Sequence, residues 1–261
     1  MDDADAMKDG PILLLGGTGE ARALAQRMGD ADIAVISSLA GRVRDPRLPV
    51  GDVRIGGFGG IDGLTDWIQN HHVIAVVDAT HPFATTMTDH AATVADRMAL
   101  PLLRVRRPAW TPTADDSWVT VPDIRAAARE IDTRAVRQGD LRVFLTTGRQ
   151  DVGVFAGVTD ATFLIRVVDP PTADLPPRHR ILRSRGPYDL SSERELMRAN
   201  EIDVLVTKNS GGELTRAKLT AAAALGVDVV MVDRPAEPAS GDSVDSVAAA
   251  MDWVLDHLAE N

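Results

Sequence analysis

The stretch Ile12-Leu13-Leu14-Leu15-Gly16-Gly17-Thr18-Gly19-Glu20-Ala21 decides the fold class. Its four apolar residues, bounded by glycine, read as a strand buried on both faces, and the helix formers at 19–28 read as the helix that follows. A glycine-rich turn between them lets backbone N–H groups and a helix N-terminus approach a pyrophosphate. Read from Gly16, the match to the dinucleotide fingerprint is imperfect. Thr18 stands in place of the middle glycine and Ala21 in place of the last. A plain strand-to-helix turn is the alternative.

Working outward, the same alternation repeats. Strands are expected at 33–36, 53–55, 73–77 and 102–105, and helices at 61–70 and 84–99. A proline- and threonine-rich break, Arg107-Pro108-Ala109-Trp110-Thr111-Pro112-Thr113, then interrupts the pattern. Beyond it the expected strands are 118–121, 141–145, 162–168, 181–182, 204–207 and 229–232, and the expected helices 123–133, 191–200, 213–225 and 243–259. Apolar strands alternating with helices indicate parallel sheets. The expected fold is α/β: two Rossmann-like domains, each a parallel sheet flanked by helices, with an interdomain cleft. The expected divisions are a disordered acidic tail at 1–10, a nucleotide-binding domain at 11–112, and a second, substrate-binding and cleft-closing α/β domain at 113–261. No internal repeat is strong enough to make the halves duplicates.

Composition narrows the function. The 261 residues carry 38 acids, 28 bases and a formal net charge of −10, with no cysteine. A chain without cysteine has no disulfide scaffold, thiol nucleophile or cysteine-ligated metal. The acid excess argues against nucleic acid and against anionic membranes as partners. Residues 1–10 hold four aspartates and no apolar core, unlike a signal peptide, and no apolar run approaches a membrane span. The expected location is the cytoplasm, and the expected state a monomer or small homo-oligomer.

Several strand-end loops are unusual. Where a NAD enzyme carries an acid about twenty residues after the glycine turn, this chain has Ser37-Ser38-Leu39-Ala40-Gly41-Arg42. Serine and arginine there suit a 2′-phosphate and so NADPH, since a guanidinium offers a fork of donors; a surface arginine in a loop is the alternative. Gly56-Gly57-Phe58-Gly59-Gly60 allows close approach to a flat ligand. In Asp78-Ala79-Thr80-His81-Pro82-Phe83, Pro82 and Phe83 are expected to begin a helix that Thr80 caps. Thr146-Thr147-Gly148-Arg149, Arg183-Ser184-Arg185-Gly186-Pro187-Tyr188 and Lys208-Asn209-Ser210-Gly211-Gly212 each combine small residues with positive charge, the chemistry of an anion site. No metal site is expected: His71 and His72 are adjacent and point apart, and neither HExxH, a P-loop lysine nor a Gly-x-Ser-x-Gly elbow is present.

Taken in order, Gly-Gly-Thr-x-Glu-Ala (16–21), Ser-Leu-Ala-Gly-Arg (38–42), Gly-Gly-Phe-Gly-Gly (56–60), Asp-Ala-Thr-His-Pro-Phe-Ala (78–84), Arg-Pro-x-Trp (107–110), Thr-Thr-Gly-Arg (146–149), Arg-Gly-Pro-Tyr (185–188) and Thr-Lys-Asn-Ser-Gly-Gly (207–212) resemble the precorrin-6A reductases of cobalamin biosynthesis. The resemblance runs from about residue 11 to residue 235. It implies two α/β domains and an oxidoreductase that uses NADPH to reduce one double bond of a carboxylate-fringed tetrapyrrole, precorrin-6A to precorrin-6B. The expected cofactor contacts are Gly16, Gly17, Thr18, Glu20, Ser37, Ser38, Arg42, Gly57 and Thr80. Arg149, Arg185, Lys208, Asn209 and Ser210 are the expected substrate contacts. His81, Tyr188 and Lys208 are candidates for a general acid, with water as the alternative. Competing readings are a cobalt-precorrin-6A reductase using NADH, a non-catalytic NAD(P)-sensing module, and an S-adenosylmethionine-dependent methyltransferase.

Overall fold

The computed structural model describes residues 10–41 and 47–260. Residues 1–9 of the expected acidic tail, and Arg42, lie outside the described residues. The chain divides into two compact units. Unit 1 comprises residues up to Pro108 together with those from Ala236 onward, and unit 2 runs from Ala109 to Pro235.

Unit 1 contains β1 (Ile12–Leu15), α1 (Gly19–Asp30), β2 (Val35–Leu39), β3 (Asp52–Ile55), α2 (Gly60–Asn70), β4 (Ala75–Asp78), α3 (Thr85–Met98), β5 (Leu102–Val105), β12 (Asp242–Val244) and α7 (Val247–Glu260). Its six strands are all parallel, in the order β3-β2-β1-β4-β5-β12. β1 is central, and its side chains alternate between two cores. Ile12 and Leu14 pack with Leu24 and Met28 of α1 and Val254 of α7. Leu13 and Leu15 pack with Leu64 and Ile68 of α2 and Val94 of α3. Burial on both faces explains the uninterrupted apolar run.

Unit 2 contains β6 (Trp118–Val121), α4 (Ile124–Gln138), β7 (Leu141–Leu145), β8 (Ala161–Val167), β9 (His179–Arg183), α5 (Leu190–Ala199), β10 (Val204–Lys208), α6 (Ala217–Leu225) and β11 (Asp228–Val232). Its sheet is also parallel, ordered β9-β8-β7-β10-β11-β6. Phe144, Leu205 and Met231 form one core with Met197 of α5 and Leu219 and Ala222 of α6. On α4, Ala127, Ile131 and Ala135 are fully buried.

The two units share one plan in permuted order. Each has five strands ordered 3-2-1-4-5 and a sixth strand, followed by a helix, at the edge beside the fifth. In unit 2 that strand–helix pair, β6–α4, precedes the other five strands. In unit 1 the pair is β12–α7, supplied by the far end of the chain. The expected second domain at 113–261 is therefore corrected: its last segment belongs to the first sheet, and the division falls at Pro108/Ala109 rather than at 112. The pairing of β12 with β5 carries this, together with Val254 in the α1 core. Residues 242–244 also replace the start of the helix expected from 243. Ser246 Oγ accepts from Ala249 N at 3.3 Å, which places the helix start after the strand.

Candidate functional site

In unit 1, β1 lies between β2 and β4 at the point where the strand order reverses, the position where open α/β sheets bind ligands. The turn after β1 is held tightly. Thr18 caps α1, its Oγ1 accepting from Ala21 N at 3.1 Å and donating to Ala79 O at 2.8 Å. One hydroxyl thus joins the loops that follow β1 and β4. Gly17 has φ +113°, and a Cβ added there would meet no atom within 4 Å. This turn therefore keeps an open approach to the N-terminus of α1, where N–H groups favour an anion. Glu20 does not add negative charge to that approach unopposed, because Arg107 Nη1 holds its carboxylate at 2.9 and 3.1 Å.

The loop after β4 departs from expectation. α3 begins at Thr85 with Ala84 at its N-cap, and Pro82 and Phe83 precede it. Thr80 does not cap the helix. Its N–H and hydroxyl both donate to Asp78 Oδ1, at 3.0 and 2.7 Å, while Thr88 Oγ1 donates to Oδ2 at 2.6 Å. Buried Asp78 thereby locks the loop that carries His81. His81 Nδ1 accepts from Phe83 N at 3.3 Å, which leaves the proton of a neutral ring on Nε2.

At the end of β2, Ser37 is buried and its Oγ has no hydrogen-bond partner among the described residues. Ser38 Oγ accepts from Arg54 Nη1 at 2.7 Å, because parallel pairing sets Ser38 opposite Arg54 of β3. Arg54 also donates to Gly56 O at 3.0 Å and to Gly57 O at 3.1 Å, and lies 3.7 Å from the centre of the Phe58 ring. Sequence reasoning missed Arg54, since only the β2–β3 register reveals its place beside Ser38.

In unit 2, the counterpart of α1 is a single 3-10 turn at Val152–Phe155. The preceding loop holds Gly148 at φ +91° and Arg149. Lys208 ends β10 and pairs with Asp151 at 2.5 Å, so those two strand-end loops are tied together. Arg149 and Arg185 make no hydrogen bond or ion pair among the described residues. Asn209, expected to meet substrate, is committed elsewhere: its Oδ1 accepts from Trp110 N at 2.9 Å and its Nδ2 donates to Trp110 O at 3.0 Å. It clamps the chain where it enters unit 2. Arg234 Nε in turn donates to Asn209 O at 2.9 Å, and its Nη2 to Ser210 O at 3.2 Å.

The Tyr188 hydroxyl donates to Ser184 O at 3.0 Å, and its ring faces Arg166, 3.8 Å from the centroid. Arg166 is itself buried against Glu193 at 2.5 Å. Tyr188 is thus held from both sides. Asp189 then caps α5, accepting from Ser192 N at 2.9 Å. Hydrogen bonds from the Ser191 hydroxyl first, and then from Ser192, hold its carboxyl well below the usual carboxylate range.

Strand order and the helices on both faces of the sheet define unit 1 as an open, parallel α/β unit of the doubly wound class. Comparison with known proteins narrows this. The chain belongs to the precorrin-6x reductase family CbiJ/CobK, whose model matches residues 11–255. It is 52% identical over 244 residues to the precorrin-6A reductase of Rhodococcus erythropolis, covering 93% of this chain and 96% of the relative. It is 31% identical over 241 residues to the cobalt-precorrin-6A reductase of Priestia megaterium, covering 86% and 90%. A solved structure of the CobK precorrin-6A reductase superposes with a TM-score of 0.88 at 39% identity, covering 95% of this chain and 97% of that one. No helix among the described residues is long and apolar enough to cross a membrane.

Proposed function

We propose that this chain catalyses the NADPH-dependent reduction of precorrin-6A to precorrin-6B, with unit 1 holding the nucleotide and unit 2 engaging the tetrapyrrole carboxylates. The observation that carries the division of labour is the contrast at matching positions of the two sheets. After β1 stands a full helix with a capped N-terminus and an open glycine turn. After β7 stands one 3-10 turn, beside Arg149, which has no hydrogen-bond or ion-pair partner among the described residues. The first arrangement suits a pyrophosphate held by backbone N–H groups. The second suits carboxylates held by guanidinium groups. Greater identity to a relative named for precorrin-6A than to one named for the cobalt form favours the metal-free substrate.

The residues fit a nicotinamide dinucleotide. Gly16, Gly17 and Thr18 border the pyrophosphate position, and neither Ser37, Ser38, Leu39 nor Ala40 is the acid that would repel a 2′-phosphate. The Ser37 hydroxyl, without a hydrogen-bond partner among the described residues, lies at the same strand end. NADPH supplies a hydride from its nicotinamide C4, and one proton completes the reduction. His81, Tyr188 and Lys208 are the candidates for its donor: Nδ1 of His81 accepts from Phe83 N, the Tyr188 hydroxyl donates to Ser184 O, and the Lys208 ammonium pairs with Asp151. The main task of the protein is to orient the reactants.

Steady-state kinetics test this assignment. Arg149→Ala and Arg185→Ala are each expected to raise KM for the tetrapyrrole about tenfold, the equivalent of one charge-assisted hydrogen bond, with the Kd for NADPH unchanged. His81→Ala is expected to lower kcat and leave both binding constants intact. Near wild-type turnover in the alanine variants of His81, Tyr188 and Lys208 would assign the proton to water instead.

A further inference from the structure

We infer that Arg54, together with Ser38, reads the 2′-phosphate on the adenosine ribose and so selects NADPH over NADH; this rests on the nucleotide assignment proposed above. In sheets of this order the adenosine ribose lies at the carboxyl end of the second strand. Ser38 is the penultimate residue of β2, and Arg54 is its partner on β3. The Arg54 side chain leans across from the outer strand and brings a positive charge to that end of the sheet.

Its hydrogen bonds define what is left over. Nη1 donates to Ser38 Oγ and Gly56 O, and Nη2 donates to Gly57 O. A guanidinium carries five N–H groups, so Nε and one Nη2 hydrogen remain without a partner among the described residues. Nor does Arg54 have a carboxylate partner among them, unlike the buried Arg166 or the half-buried Arg107 and Arg134. Its three acceptors are neutral oxygens, so no carboxylate among the described residues offsets its charge. Partial burial acts against that charge and lowers its pKa from the ordinary arginine value.

The orientation of Arg54 is fixed before any ligand arrives. The guanidinium lies 3.7 Å from the Phe58 centroid and 5.6 Å from that of Trp67, and Phe58 and Trp67 pack edge to face at 5.5 Å. A held guanidinium with spare donors and no counter-charge suits a phosphate monoester dianion. The glycines around Phe58 follow from the same arrangement. The Gly56 and Gly57 carbonyls must turn inward to accept from Arg54, and a Cβ at either position would meet no atom within 4 Å, which leaves room for the ribose.

The test uses two probes that differ by the phosphate alone, adenosine 2′,5′-bisphosphate and 5′-AMP, titrated calorimetrically into the full chain. The wild type is expected to bind the bisphosphate more tightly. Arg54→Gln is expected to weaken bisphosphate binding about 10- to 100-fold and to change 5′-AMP binding by less than about threefold. Arg54→Lys, which keeps the charge without the planar fork, should fall between them, and it carries the test should the glutamine variant fail to fold. Equal losses for both probes would reduce Arg54 to a brace for the glycine loop and overturn the inference, as would unchanged bisphosphate binding. A wild type that binds both probes equally also overturns it. A wild type that binds neither NADPH nor NADH overturns the nucleotide assignment beneath it.

Discussion

Valine in place of Gly17 is expected to cut NADPH affinity about 100-fold or more while leaving a folded protein. At φ +113° a β-branched residue is strained, at a cost of about 1–3 kcal/mol. The strain is confined to the backbone, because the added side chain would meet no protein atom within 4 Å at its Cβ. Under the proposed nucleotide assignment, it occupies the open side of the turn where a pyrophosphate would approach the N-terminus of α1. Losing two charge-assisted hydrogen bonds there removes about 3 kcal/mol or more of binding, and about 1.4 kcal/mol is a factor of ten. Calorimetric titration of the variant checks the affinity, and thermal unfolding checks the fold. A Kd within about threefold of the wild type would place the pyrophosphate elsewhere.

Glu193→Ala is expected to destabilise the protein by about 3–5 kcal/mol, because it leaves the Arg166 guanidinium buried without its counter-charge. The two side chains are 6% and 2% exposed and meet at 2.5 Å. Arg166 lies on β8, and Glu193 in the first turn of α5, where the helix dipole also favours its charge. The double variant Arg166→Met/Glu193→Leu should lose less than Glu193→Ala alone, since an apolar pair removes both charges together. Urea denaturation of the three proteins measures this. A loss under about 1 kcal/mol in the single variant would mean that water reaches the guanidinium and that the pair is not buried in solution. The same pair stands behind Tyr188, so Glu193→Ala also tests how that loop is held.

The parts of the fold legible in the sequence are those whose burial is symmetrical. Ile12–Leu15 is covered on both faces, so its apolar run needs no further context. The second strand was expected at 33–36 and forms instead at Val35–Leu39, because the buried Ser37 and Ser38 carry no hydrophobic signal. β12 has three residues, two of them exposed, and only its pairing with β5 makes it a strand. The permuted plan common to both units is equally silent in sequence, since it resides in strand order and not in residue identity.

The candidate site divides along the same line. The glycine turn, Ser38, Arg149 and Arg185 stand out by type and spacing. Arg54 does not, because it precedes the glycine cluster as one more residue of a short strand, and its function depends on the neighbouring strand's register. Asn209 stands in a loop with the composition of an anion site. Its amide matches the two main-chain atoms of Trp110 instead, a contact spanning 99 positions that spacing does not reveal.

Anaerobic incubation of the purified chain with NADPH and precorrin-6A tests the proposed hydride transfer most directly. One NADPH is expected to be consumed for each tetrapyrrole converted, and C4-deuterated NADPH of one face is expected to transfer its deuterium to the product. Nucleotide binding without consumption, or consumption without label in the tetrapyrrole, would contradict it.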